Sequence, residues 1–142
     1  MRLLTTVLEF RKGIREITTL DLEELAQSMG LTIIYHRDGP KGWCSLHTKT
    51  ISLRNDLTHR EYRSTLAHEI GHAIRGDIYT GTIFDQRDER AADQFAAQLL
   101  ISEEAYQAAE RIHGPHDDAI AYELDVTVHL LNTWKQLVKV RQ

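Results

Sequence analysis

Leu-Ala-His-Glu-Ile-Gly-His-Ala, residues 66–73, is the segment around which the rest of the chain is arranged. On an α-helix, side chains four residues apart lie one above the other on the same face. His68 and His72 can therefore offer two imidazole nitrogens to a single tetrahedral Zn²⁺. Glu69 lies about 100° further round the helix, where it can reach a water on the metal without binding the metal itself. The spacing predicts a metal-binding helix that carries a general base.

Two histidines on a helix can also be an ordinary packed or exposed pair, and the chain has eight histidines among its 142 residues. The surrounding pattern favours a metal site, because apolar side chains recur at helical spacing and indicate a helix that packs on a core (Leu66, Ala67, Ile70, Ala73 and Ile74). A structural zinc site usually takes four protein ligands, often cysteines, and only Cys44 is present. We interpret the motif as part of a metalloenzyme, and Cys44 as a small apolar strand residue rather than a ligand.

Length and composition indicate one globular domain over residues 1–142. The net charge is −4 and acidic and basic residues are interspersed, so no basic patch indicates nucleic-acid binding. A single cysteine excludes an internal disulfide, which is typical of a reducing cytoplasm. No apolar run approaches the roughly 20 residues that span a bilayer, and residues 1–15 lack the features of a signal peptide. We expect a cytoplasmic protein.

Before the histidine motif, the pattern predicts two helices and a small sheet. A short helix is expected within residues 1–17, and a second helix is expected to begin at Thr19 or Asp21 and to end at Gly30. Three β-rich runs follow, of which the last two are expected to form a hairpin (residues 31–35, 43–48 and 50–53). The predicted fold class is therefore α+β, mostly helical, with a sheet of about three strands beside the helix of the motif.

The helix of the motif has recognisable ends. Thr58 and Glu61 have the T-x-x-E form of a capping box, and Gly76 is expected to end the helix after Arg75. A loop and four further helices are expected after it (residues 77–84, then 85–101, 102–112, 120–124 and 128–140). The last two helices resemble a helix-turn-helix in outline, but the acidic charge favours two helices that pack on the core.

Two histidines need a third protein ligand, and an open fourth position, to make a catalytic zinc site. Glu89 is the preferred candidate, because it lies 17 residues after His72 near the start of a separate helix that can fold back against the first. Asp85 and Asp88 compete for this role. Asp93 lies four residues after Glu89 on the same face, where its carboxylate can accept the second ring N–H of a ligating histidine.

The chain resembles the ImmA/IrrE family of metallopeptidases in two stretches, His-Glu-Ile-Gly-His at residues 68–72 and Glu-Arg-Ala-Ala-Asp-Gln-Phe-Ala-Ala-Gln-Leu-Leu at residues 89–100. The family pattern is H-E-x-G-H followed by E-x-x-A-(D/N)-x-F-A-x-x-L-L-(M/I)-P. The chain departs from this pattern at Ser102, where the family usually has proline, but this position begins a helix and takes no part in the chemistry. The resemblance extends upstream over residues 22–53 and, more weakly, to the C-terminus.

The resemblance implies a zincin-like fold in which His68, His72 and Glu89 bind one Zn²⁺ and Glu69 is the general base. Asp93 falls where the Glu-containing zincins (gluzincins) place an aspartate behind the zinc ligands. Such a protein is a zinc metalloendopeptidase. Family members are often encoded in prophages and mobile elements beside helix-turn-helix repressors, so the resemblance implies cleavage of such a repressor. The missing long apolar run and the interspersed charges lead us to expect neither a membrane partner nor direct DNA binding.

The expected organisation is a minimal peptidase unit without a sensory module, with a catalytic core over about residues 19–113 and a C-terminal helical pair over about residues 115–142. Two other functions remain open. A protein-binding regulator or toxin–antitoxin component could keep the zinc fold without catalysis, although it would not need Glu69; a DNA-binding regulator would bind duplexes in a strongly salt-dependent way. Catalysis also needs a donor for the oxyanion, and spacing does not choose among the candidates (His47, Tyr79, His113, His116 and Tyr122).

Overall fold

The computed structural model describes residues 16–76 and 86–141. Within these two ranges the chain forms six helices: α1 (Thr19–Ser28), α2 (His59–Arg75), α3 (Gln86–Leu100), α4 (Glu103–His113), α5 (Asp117–Leu124) and α6 (Val128–Arg141). It also forms three strands: β1 (Thr32–His36), β2 (Gly42–Ser45) and β3 (Thr50–Arg54). The predicted α+β class is confirmed. The short helix expected near the N-terminus falls almost wholly outside the described residues, as does the loop expected over residues 77–84.

β3 is the central strand of the sheet. β1 pairs with it in parallel, with Ile33 opposite Ile51, and β2 pairs with it in antiparallel fashion, with Cys44 opposite the same residue. Ile51 and Leu53 share one face of β3 and are fully buried, because this face packs on the hydrophobic core. Cys44 is only 2% exposed, which confirms its interpretation as a small apolar strand residue. Among the described strands, β2 lies at one edge of the sheet and β1 at the other.

The ends of α2 are those predicted from the sequence. The Thr58 hydroxyl accepts the Glu61 N–H at 3.3 Å, and the Glu61 carboxylate accepts the Thr58 N–H at 3.0 Å. Each residue therefore satisfies a backbone donor that the first turn of a helix leaves free. Gly76 ends the helix in the left-handed conformation, with φ of 68°. The face between these ends buries Leu66 and Ile70 completely.

The start of α1 differs from the prediction by one residue or more. Thr18 is its N-cap, not Thr19 or Asp21. The Thr18 hydroxyl accepts the Asp21 N–H at 3.0 Å, and the Asp21 carboxylate accepts the Thr18 N–H at 2.9 Å. Starting at Thr18 places an acidic side chain at the third helical position, so both capping hydrogen bonds form at once.

The Glu61 carboxylate supports a pH-dependent prediction. The hydrogen bond from the Thr58 backbone, followed by contact with Lys41 at 3.0 Å, lowers the pKa of Glu61 to about 2. Because the folded pKa is depressed, the stabilisation is complete above the unfolded value of about 4.3 and is lost as the pH falls towards 2. We expect Glu61→Gln to be less stable than the wild type at neutral pH, by up to about 1 kcal/mol. Urea unfolding should show this difference shrinking at about pH 3, and an unchanged difference would contradict its ionic origin.

α2 and α3 pack closely at Gly71. A Cβ at this position would lie 3.2 Å from both the Cα and the carbonyl oxygen of Ala92, and 3.0 Å from Cδ1 of Phe95. Two of these three atoms belong to the backbone, so α3 itself would have to move to admit a side chain. Ala92 lies less than one turn after Glu89. The contact therefore sets how closely Glu89 approaches α2.

Gly71→Ala tests this packing, because helix propensity and steric crowding predict changes of opposite sign in the free energy of unfolding. Helix propensity alone would make the substitution stabilising by about 1 kcal/mol. We expect it instead to destabilise the protein by about 1–3 kcal/mol, because α3 is pushed away from α2. Urea unfolding measures the change, and a variant at least as stable as the wild type would contradict the close contact.

The two C-terminal helices pack on the core, as the interpretation from the acidic charge predicted. α6 lies against α3 and buries Leu130, Leu131 and Trp134. The backbone N–H of Thr127, just before α6, donates to Oγ of Ser64 on α2 at 3.1 Å. The start of α6 is therefore attached to α2. Within the two described ranges, no helix combines the length and the apolar character needed to cross a membrane.

Candidate metal centre

Three side chains from two helices converge between α2 and α3. His68 and His72 lie one turn apart on α2, with their Nε2 atoms 3.2 Å apart and their rings edge to face. The Glu89 carboxylate comes from the first turn of α3, with Oε2 3.2 Å from Nε2 of His68 and Oε1 2.9 Å from Nε2 of His72. The structure thus brings together the three residues predicted as ligands, in a group that could hold a metal ion.

The three donors fit zinc in both chemistry and spacing. Two imidazole nitrogens and a carboxylate oxygen form a ligand set that catalytic zinc sites use, with the fourth position open. Ligands held at about 2.0–2.1 Å around a tetrahedral zinc are about 3.3 Å from one another. Here the two Nε2 atoms lie 3.2 Å apart, and each Nε2 lies 2.9–3.2 Å from a different oxygen of the Glu89 carboxylate. One ligand atom from each residue lies within 4.8 Å of the other two, which is close enough for the three side chains to share one ion.

Asp93 contacts the opposite side of the His68 ring. It lies one turn after Glu89 on α3, and its Oδ1 is 2.7 Å from Nδ1 of His68. This contact places the ring proton on Nδ1 and leaves Nε2 to face Glu89. The other carboxylate oxygen, Oδ2, is 2.8 Å from Nε2 of His129 on α6. Asp93 therefore connects a predicted metal ligand to a histidine of the C-terminal helix.

The charges at this centre favour cation binding. Burial disfavours protonation of His68. Hydrogen bonds with Asp93 and Glu89 outweigh this effect and, with no metal ion bound, raise the pKa of His68 to about 10. The hydrogen bond with His68 lowers the pKa of Glu89. Burial of Asp93 is likewise outweighed by hydrogen bonds with His68 and His129, and its pKa is lowered. Both carboxylates are ionised at neutral pH, and a cation on the three donors would displace the His68 proton.

Glu69 lies next to the donors but belongs to a different environment. The residue is 5% exposed. Burial raises the pKa of its carboxyl group to about 7. The positive charge of His68 opposes this rise, and the negative charges of Glu89 and Asp93 add to it. A carboxyl group buried beside a metal site, but not among the donor atoms, is placed to exchange a proton with a reacting molecule.

A cleft of about 350 Å³ includes both His68 and Glu69 in its lining. Gly42, the first residue of β2, lines it from one side, and Thr127 and Leu130 line it from the start of the C-terminal helix. A Cβ on Gly42 would lie 3.3 Å from Cγ of Glu69, so glycine allows the edge strand to approach the predicted base. A larger cavity of about 440 Å³ elsewhere contains none of the metal-site residues, and it has no evident part in this chemistry.

The competing ligand candidates do not join the three donors. Asp88 approaches Arg75, with 3.5 Å between its Oδ1 and a guanidinium nitrogen, and it is not part of the three-residue group. Asp85 lies outside the described residues. Glu89 is therefore the acidic residue of α3 whose carboxylate meets both histidines.

Of the candidates named for oxyanion stabilisation, the four that lie in the described part of the chain do not line the cleft. His113 pairs with a glutamate of α5, and Tyr122 is 75% exposed beneath the Arg60 guanidinium. His47 and His116 are exposed and do not line the cleft, and Tyr79 lies outside the described residues. Besides His68, the cleft is lined by His129, a histidine that the sequence did not single out. It lies 36 residues after Asp93, and no local spacing relates the two.

Comparison with known families agrees with this geometry. The family model of the M78 peptidases, described as the IrrE N-terminal-like domain, matches residues 21–133. The chain belongs to this family. Its fold is therefore that of a zinc-metallopeptidase-like domain, as the resemblance of the two motifs implied, and the matched range includes His68, Glu69 and Glu89. No curated protein sequence matches the chain significantly.

Proposed function

We propose that this member of the M78 family is a zinc-dependent endopeptidase. The observation that supports this most strongly is the convergence of His68, His72 and Glu89 within hydrogen-bonding distance of one another, beside the buried carboxyl group of Glu69. A binding module has no need for a buried acid at this position. Membership of the M78 peptidase family also supports hydrolysis of peptide bonds.

In this proposal, different residues of the site have different roles in peptide hydrolysis. His68, His72 and Glu89 hold the metal, which supplies a Lewis acid that polarises the scissile carbonyl group and acidifies water. Glu69 takes a proton from the attacking water and passes it to the leaving amine. Asp93 keeps the His68 ring in the orientation that directs Nε2 towards the other donors.

The walls of the cleft favour an extended polypeptide as the substrate. Among the described strands β2 lies at an edge of the sheet, which is the position at which another extended chain can pair with a sheet. Gly42 places this strand in contact range of Glu69. A peptide that pairs with β2 would therefore pass beside the predicted base, with its backbone aligned along the strand.

We further propose that the substrate is a regulatory protein, namely a helix-turn-helix repressor of a prophage or mobile element, and that cleavage in the cytoplasm relieves repression. This part rests on the resemblance to the ImmA/IrrE family. The alternative is a regulator that keeps the zinc fold and acts by binding alone. The two differ at Glu69, which hydrolysis requires and sequestration does not.

A proteome-derived peptide library tests hydrolysis across many sequences at once, so the natural substrate need not be identified first. The wild-type protein, supplied with zinc, should create new N-termini that mass spectrometry detects, and Glu69→Gln should not. The same pair should then be incubated with purified helix-turn-helix repressors, including any that is encoded beside the gene. Repressor fragments formed by the wild type alone would support the proposed substrate. A stable repressor complex formed by both proteins, without fragments, would favour sequestration.

A further inference from the structure

A chain of three side chains runs from the metal-ligand pair to the C-terminal helix. Nδ1 of His68 is 2.7 Å from Oδ1 of Asp93, and Oδ2 of Asp93 is 2.8 Å from Nε2 of His129. The Asp93 side chain is 23% exposed and that of His129 is 73% exposed. This series of contacts therefore leads from the partly buried ring of His68 to the surface, where it ends at His129 of α6.

The position of His129 is fixed by the core and not by its own exposed ring. The two residues that follow it, Leu130 and Leu131, are buried, as is Val126 before the helix. Thr127 donates its backbone N–H to Ser64 on α2, one turn before His68. The hydroxyl of Thr127 also caps α6 by accepting the N–H of Leu130 at 3.2 Å. The start of α6 is thus anchored to the helix that carries the predicted ligands.

Asp93 needs two partners to keep one orientation. Its carboxylate can rotate about the bond to Cβ, and a single contact with His68 would leave the other oxygen free to exchange between partners and water. With His129 on Oδ2, Oδ1 remains directed at His68. A fixed Oδ1 in turn fixes the ring proton on Nδ1 and leaves Nε2 as the donor.

We propose that His129 is a positioning residue of the metal centre, which acts on His68 through Asp93 and raises the affinity for zinc. This inference rests on the proposed function only in taking zinc as the metal. It makes the start of α6 part of the metal centre as well as a cover for the core. Loss of His129 should therefore weaken zinc binding, although His129 contacts none of the three donor atoms.

Zinc affinity of the purified chain, measured by competition with a chromophoric chelator, tests this directly. Removal of a partner that orients a ligand typically costs about 10–100-fold in metal affinity, which we expect for Asp93→Ala. For His129→Ala, one step further out, we expect a loss of about 3–10-fold. His129→Gln should restore affinity to within about twofold of the wild type, because its amide nitrogen can replace Nε2 as the donor to Asp93.

The double variant separates positioning from a general structural effect. If His129 acts through Asp93, adding His129→Ala to Asp93→Ala should cause no further loss of zinc affinity. His113→Ala serves as the matched control, because it removes another histidine–carboxylate pair, the 3.3 Å contact with Glu123, away from the metal centre. Thermal unfolding of each variant shows that the chain remains folded during the titration.

The outcomes distinguish this inference from the proposed function. A His129→Ala protein that binds zinc as tightly as the His113→Ala control would overturn the inference and leave the zinc site intact. Equal losses from His129→Ala in the presence and absence of Asp93 would also overturn it. A wild-type protein that binds no zinc would overturn both the inference and the proposed zinc peptidase.

Discussion

Glu69→Gln is expected to lower kcat/KM for peptide cleavage by about 10²–10⁴-fold, because an amide has the shape of the carboxyl group but cannot accept the proton of the attacking water. The zinc content should stay unchanged, since Glu69 is not one of the three converging donors. The stability should not fall, because the residue is 5% exposed and a neutral amide is no costlier to bury than a carboxylate. New N-termini counted in the peptide library measure the rate.

Glu104→Gln is the matched control for this experiment, since it makes the same chemical change at an exposed position on α4. It should cleave at the wild-type rate. A Glu69→Gln protein that retains more than about a tenth of the wild-type rate would show that Glu69 is not the base. A protein without activity that has also lost its zinc would show that Glu69 supports the metal site instead.

Glu89→Ala is expected to lower zinc affinity by about 100-fold or more, because it removes one of the three proposed ligands, among which the binding energy is shared. The Glu89 carboxylate contacts both histidines, at 3.2 and 2.9 Å. Its loss therefore leaves an imidazole pair that must bind the ion with water in two positions. The chelator competition used for His129 measures this change as well.

Asp88→Ala controls for loss of negative charge in the first turn of α3. Asp88 approaches Arg75 and is not among the three converging donors, so this variant should keep its zinc affinity within about twofold. If Asp88→Ala lost zinc while Glu89→Ala kept it, the assignment of the third ligand would be wrong. The competing candidate from the sequence would then replace it.

The features that could be predicted from the sequence are those set by local chemistry. The ends of α2 follow from a capping box at Thr58 and a glycine at position 76, and both signals act within one turn. The pairing of His68 with His72 follows from helical spacing alone. The spacing predicts that Asp93 holds a ligating histidine because it lies one turn from Glu89; the structure places its Oδ1 2.7 Å from Nδ1 of His68, and the ligand role itself stays a prediction.

The features that could not be predicted depend on contacts that spacing alone does not select. Several residues near the start of α1 can act as an N-cap, and only the reciprocal bond to Asp21 selects Thr18. The sequence predicted about three strands but not that β1 would pair in parallel with β3 and leave β2 at the edge beside the cleft. His129 reaches Asp93 only because α6 packs along α3, and the acidic charge indicated packing without indicating which residues would meet.

Gly71 shows how one residue contributes to both fold and site. In the sequence it is the glycine of the pattern H-E-x-G-H, which does not indicate what the glycine contacts. In the structure it admits the backbone of α3 at Ala92, and so brings Glu89 to the histidines. The predicted division into a catalytic core over about residues 19–113 and a C-terminal helical pair over about residues 115–142 stays a prediction, and the contact of His129 with Asp93 joins the two parts.

The most direct test of a zinc centre is elemental analysis of the purified wild-type protein that has never been exposed to a chelator. We expect close to one zinc per chain, and a much lower content in Glu89→Ala purified in the same way. Such a result would support the three-ligand site and the peptidase proposed for it. A wild-type protein that contains no metal, even after zinc is supplied, would contradict both.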